Sequence, residues 1–189
     1  EVGITLTFMT PALPDDLDVL SRPVTYVTWE IKSADGKEHA VSLYFDASAE
    51  ITVNTLEQQV VWSRENVAGL GVLKLGSKDQ PVLAKKGDDL RIDWGYLYLA
   101  AAKETVKQAL APARDCRTAF TANGTLPDAD DKNMPRAAND NWPAAACVFD
   151  LGKVTAAPVS RTLILAYDDV YAIEYFKSKL RAYWRRKGA

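Results

Sequence analysis

One histidine, His39, and two cysteines, Cys116 and Cys147, are all this chain has of the residue types on which many catalytic and metal sites are built. That leaves no set of Cys and His ligands for a zinc site, and neither cysteine sits in a CxxC or Cys/His pattern. A Ser-His-Asp or Cys-His pair would have to use His39, which falls on a predicted strand, where a partly exposed strand histidine is the simpler reading. No run of about 18 apolar residues occurs, so the sequence predicts no membrane-spanning helix. Charge is nearly balanced, 23 basic residues against 25 acidic, which speaks against a nucleic-acid binder relying on a bulk electrostatic footprint. No catalytic motif stands out by spacing alone. A Cys116–Cys147 bridge in an exported protein would contribute about 3–4 kcal/mol by loop closure, but spacing does not set its geometry, and the pairing stays open.

What the chain does have is a run of strand signals. Its 189 residues suit one domain able to bury a core. Pro23 to Asp46 holds two alternating, β-branched and aromatic runs around Asp35-Gly36 and reads as a hairpin. Val27, Trp29 and Ile31 are the strong apolar set of its first strand, and Val41, Leu43 and Phe45 that of its second. All six positions are odd, so a two-residue loop would put the sets on opposite faces. A three-residue loop at Ala34-Asp35-Gly36 with a bulge at Gly36 places Trp29 opposite Val41 and Val27 opposite Leu43, all on one buried face.

Further strands are expected at 2–8, 52–53, 59–64, 69–75, 90–100, 144–154 and 159–167. Residues 105–123 favour helix in part, with Pro112 as a start and Asn123-Gly124 as a stop. Residues 126–143 read as loop, and 170–184 as a strand running on into helix. The C-terminal segment should pack on the body up to Trp184, with its basic side chains outward and an exposed apolar patch near Tyr183-Trp184 or the 126–143 loop. Many short strands with turns between them predict a mostly β fold, an antiparallel β-sandwich with one or two short helices.

Several stretches together carry a family resemblance. They are Pro23 to Trp29 with Leu43 to Asp46, Val61 to Arg64, Asp93 to Tyr98, and the long run Asp131 to Pro143, continued by Phe149 to Lys153, Ala166 to Asp169 and Tyr183 to Arg186. With these the chain resembles the N-terminal β-rich domain of the secreted glutaminase A family of fungi and bacteria. The resemblance implies a supersandwich-like domain over 1–189 of a larger secreted or periplasmic polypeptide. It also implies a helical C-terminal domain as partner, and hydrolysis of glutamine to glutamate and ammonia by the whole. It carries no catalytic residue into this region and implies no cofactor or metal.

Seven residues are candidates for ligand contact. Asp168 and Asp169 end an apolar strand, where adjacent carboxylates shift each other's pKa; a turn or helix cap is the plainer reading. Asp140, Asn141 and Trp142 combine a carboxylate, an amide and an aromatic face suited to a small amide or sugar; the plainer reading is a loop pinned by a buried Trp142. Asp93 and Trp94 have the same character. Asp128, Asp130, Asp131 and Asn133 hint at a calcium loop, but Lys132 sits at the fifth position, where the EF-hand pattern needs an oxygen ligand, and Asn139 at the twelfth, where it wants Glu. The first functional expectation is a non-catalytic or partly catalytic domain supporting a glutaminase-like hydrolase. The alternative is a carbohydrate-binding or glycosidase-associated module, which an exposed pair of coplanar aromatic rings would favour.

Overall fold

The computed structural model describes residues 1–187, so Gly188 and Ala189, the last two of the expected domain, lie outside the described residues. The chain is mostly β, with strands β1 (Val2–Met9), β2 (Val24–Ser33), β3 (His39–Ser48), β4 (Gln59–Val67), β5 (Leu70–Ser77), β6 (Tyr96–Ala102), β7 (Lys107–Pro112), β8 (Arg136–Ala137), β9 (Pro143–Val154) and β10 (Val159–Asp168). A small hairpin, β11 (Ile173–Tyr175) and β12 (Ser178–Leu180), follows. The helices are the single turn α1 (Leu17–Leu20) and α2 (Ala113–Asn123). The antiparallel strands form a seven-stranded sheet, order β1-β2-β10-β6-β5-β4-β8, and a three-stranded sheet, order β3-β9-β7.

The predicted hairpin is not one. β2 pairs with β1 and β10, whereas β3 pairs with β9 in the other sheet. The 34–38 turn is an arch that carries the chain from one layer to the next. The parity argument nevertheless reached the right burial: Val27, Trp29, Ile31 and Leu43 are buried, and Val41 and Phe45 pack against the same core. Trp29 meets Phe45 and Phe149 across the gap with ring centroids 6.0 Å apart. Two odd-numbered apolar sets face each other between sheets as well as they would side by side within one. Period-2 patterning reports the face and is silent on the neighbour.

A second cluster lies behind the small sheet, where α2 presses Cys116 and Phe120 onto Ala109, Ala111, Ala146, Val148 and Tyr44. The molecule therefore has three layers: large sheet, small sheet, helix. Gly124 ends α2 in the left-handed conformation, as its sequence predicts. The helix begins at Ala113, directly after the expected start at Pro112, and the earlier part of the 105–123 stretch, Lys107–Pro112, pairs with Pro143–Val148 as β7. The Ala-rich content of β7 and β9 reflects the close approach of sheet and helix. Residues 52–53 belong to the end of a 3-10 turn, and β6 begins at Tyr96, not 90. The expected helix after 170 is only the short turn Tyr183–Arg185.

Cys116 and Cys147 are free. Cys147 faces the core between the sheets and Cys116 the helix layer, on opposite faces of the small sheet. Burial pushes each thiol up to about 12.

One long side of the sandwich is plugged. Between β4, past its short pairing with β8, and the edge strand β7, Arg64 donates to both oxygens of Asp130 (2.5 and 2.8 Å) and to the Gln108 carbonyl. Asp130 in turn accepts from the Leu110 N–H, and the Trp62 indole donates to the Asp131 carbonyl at 2.7 Å. The acidic run that hinted at calcium is thus engaged with arginine and backbone.

Candidate functional site

The loops at one end of the sandwich hold all seven candidate residues, in two groups. The first forms where β6 starts and β10 ends, since Tyr96 stands opposite Asp168 in the sheet. Gly95, with φ of +81°, lets the backbones close: a Cβ there would meet the Asp168 carbonyl oxygen and lie 2.7 Å from the Asp169 Cα. The Trp94 indole donates to the Tyr171 carbonyl at 3.1 Å, and the Tyr167 hydroxyl donates to the Trp94 carbonyl at 2.8 Å. Asp93 and Trp94 are thereby joined to Asp168 and Asp169 across more than seventy residues of chain.

Two of these carboxylates are already engaged. Asp93 is buried and accepts from Gln58 (3.0 Å) and Lys85 (3.2 Å). Asp168, also buried, takes the guanidinium of Arg185 in a two-pronged pair and accepts from the Val170 N–H. Asp169 differs: burial, then the negative Asp168, raises its pKa. Burial and the charges of Asp93 and Asp169 likewise raise Tyr167. The basic tail, expected to point outward, is a clasp in part. Arg185 holds Asp168, and Arg186 pairs with Asp18 on the β1–β2 connection at 2.5 Å. Beneath it Val24, Tyr98, Ala166 and Trp184 line a cavity of about 450 Å³.

The second group is Asp140-Asn141-Trp142. Buried Arg136 organises it, donating to the Asp140 and Asn133 carbonyls, pairing with Asp131 at 2.6 Å and lying 4.9 Å from the Trp62 ring centroid. Asn141 and Trp142 both adopt left-handed backbone, φ of +56° and +49°. That turn sends the Trp142 carbonyl to the Ala113 N–H at the start of α2 and the indole outward. Trp142 is 41% exposed, not the buried pin of the plainer reading. It stands between two grooves along α2 of about 520 and 990 Å³, whose polar walls include Ser48, Arg114, Arg117 and Asn139. Gln58 links the groups, since its backbone carbonyl accepts from Ala138 while its side chain reaches Asp93.

His39 sits at the far end of β3, with Asp35 at 2.7 Å. The residues sequence reasoning missed are the partners, Gln58, Lys85, Arg136 and Arg185. Only Arg185 had a signal, as part of the basic stretch, and charge alone does not reveal which acid it meets. Among the described residues no group of His, Cys, Asp and Glu is placed to hold a metal, and no helix is long and apolar enough to cross a membrane.

A family model described as "Domain of unknown function (DUF5127)" matches residues 1–189. Among curated relatives, the chain is similar to "Glutaminase A" of Aspergillus oryzae, 34% identical over 176 residues, which covers 92% of this chain and 25% of that protein. It is also similar to a protein of Arthroderma benhamiae named "Probable glutaminase", 26% identical over 151 residues, covering 77% of this chain and 17% of the relative. The chain therefore spans a quarter or less of the curated relatives it matches.

Proposed function

Because this chain belongs to the DUF5127 family, matched along its whole length, we propose that it serves as the N-terminal β-sandwich domain of a larger, secreted glutaminase-like amidohydrolase. The observation that carries this reading is the similarity to "Glutaminase A" over nine-tenths of this chain but a quarter of that relative. The site geometry fits a supporting role. Asp93 and Asp168 spend their charge on Lys85 and Arg185, and the lone histidine lies at the other end of β3. In this role the domain shapes the active site of the following helical domain, and Asp169 together with the exposed Asp140, Asn141 and Trp142 are the candidates that remain to reach a small amide substrate.

The test is ammonia release from glutamine, measured on the longer polypeptide and on residues 1–189. The longer polypeptide is expected to hydrolyse glutamine and residues 1–189 to release none. Hydrolysis by residues 1–189 alone, abolished in Asp168→Asn, would overturn the supporting role. The carbohydrate-binding alternative gains no specific observation: the exposed Tyr175–Phe176 pair is edge-on at 74°, and Trp142 is a single ring.

A further inference from the structure

The sandwich is closed unequally. One side carries the Arg64–Asp130 plug between β4 and β7. On the other side the free edges are β1 and β3. There the larger sheet overhangs the smaller. Ile4, Leu6 and Phe8 stand opposite Ile31, Trp29 and Val27, and directly paired residues of an antiparallel pair point to the same face. These three side chains therefore belong to the inner, core-facing surface. Their partners on β2 are buried, yet Ile4, Leu6 and Phe8 are 57%, 47% and 66% exposed. Leu165, two strands further in on that face, lines a cavity of about 620 Å³ with Phe45 and Ile51. That cavity opens between the two sheets, on the same face of the large sheet.

β1 also lacks the devices that keep a free edge solitary. Its sequence, Val2 to Met9, contains no charged residue and no proline. An apolar core face and an unguarded edge on one strand are what a covered interior strand looks like. Resting on the reading of this chain as one domain of a longer polypeptide, we infer that the inner face of β1 is the docking surface for the remainder of that polypeptide. The occupant is a segment outside residues 1–189 that lays an uncharged, apolar face over Ile4, Leu6 and Phe8. The relatives matched here supply the room for it, since three quarters or more of their length lies outside the matched region.

Hydrogen exchange of the β1 amides, followed in residues 1–189 and in the longer polypeptide, tests this together with sedimentation of residues 1–189. The expected result is a monomer whose β1 amides exchange at least about tenfold faster than in the longer polypeptide. Leu6→Lys should restore fast exchange in the longer polypeptide and leave the thermal midpoint of residues 1–189 unchanged, because that side chain is half exposed there. Equal exchange in the two proteins would overturn the inference. So would a dimer of residues 1–189 with β1 protected, which would assign the surface to a second copy. Protected β1 in a longer polypeptide that does not hydrolyse glutamine would keep the docking surface and remove the glutaminase reading instead.

Discussion

Replacing Gly95 with alanine tests how the first group of candidate residues is held together. Gly95 and Gly36 both have left-handed backbones, φ of +81° and +74°. A Cβ at Gly36 has nothing within 4 Å, whereas at Gly95 it would strike the Asp168 carbonyl and the Asp169 Cα. Gly36→Ala therefore isolates the conformational cost, roughly 1–2 kcal/mol. Gly95→Ala adds a clash with backbone, which cannot rotate aside as a side chain would, and overpacking of this kind costs about 1–3 kcal/mol. The expected losses are about 1–2 kcal/mol for Gly36→Ala and about 2–5 kcal/mol for Gly95→Ala, read from urea unfolding midpoints at unchanged slope. Equal losses in the two variants would refute the claim that the Asp168–Asp169 backbone is pressed against Gly95.

The two thiols, buried with pKa values of about 12, should resist alkylation at pH 8 in the folded protein and react fully in urea; fast labelling of either would show its layer to be open. Asp169 has a folded pKa above its unfolded one, so its stabilising protonation is present at low pH and lost as pH rises through that raised value. Asp169→Asn should flatten this fall, and an unchanged pH–stability curve would count against the raised pKa. Asp130 is the opposite case. Burial pushes its pKa up, but Arg64 and the Leu110 N–H together outweigh that and hold it below the ordinary value, so its contribution is present above the unfolded pKa and lost as pH falls through the folded one, and Asp130→Asn should remove that acid-side loss. Arg136→Ala leaves Asp131 without its partner inside the second group and should cost about 3 kcal/mol or more in denaturant unfolding; a loss under about 1 kcal/mol would show that Arg136 is not what organises the turn.

Strand existence and the buried face were legible in the sequence, because both depend on local alternation. The apolar sets on β2 and β3 gave the face correctly. The partner strand was not legible, because Asp35-Gly36 can turn a chain within a sheet or across two, and the choice rests on β1, β9 and β10 far along the sequence. The start of α2 at Pro112 and its stop at Gly124 were readable as local cap chemistry. The strand Lys107–Pro112 was not, since its alanines suit a helix as well as a crowded sheet. In the candidate site, Asp93, Trp94, Asp168 and Asp169 could be singled out by residue type. Their meeting depends on β6 pairing with β10, and their engagement on Lys85 and Arg185. The exposed Trp142 depends on two left-handed residues for which the sequence supplies no glycine.

The order of strands in the large sheet has a consequence for how the protein is made. β10 sits between β2 and β6 and, among the described residues, is the one strand joining the β1-β2 edge to the rest of that sheet. A nascent chain emerging at roughly 5–20 residues per second holds β2 long before residues 159–168 leave the ribosome. Until they do, Val27, Trp29 and Ile31 lack their cross-strand neighbours Leu163, Arg161 and Val159. The sheet cannot be completed in pieces from the amino end. A chain cut between residues 103 and 158 holds β1-β2 and β6-β5-β4 as two unjoined half-sheets, a substrate for chaperones and proteases in place of a smaller version of the fold.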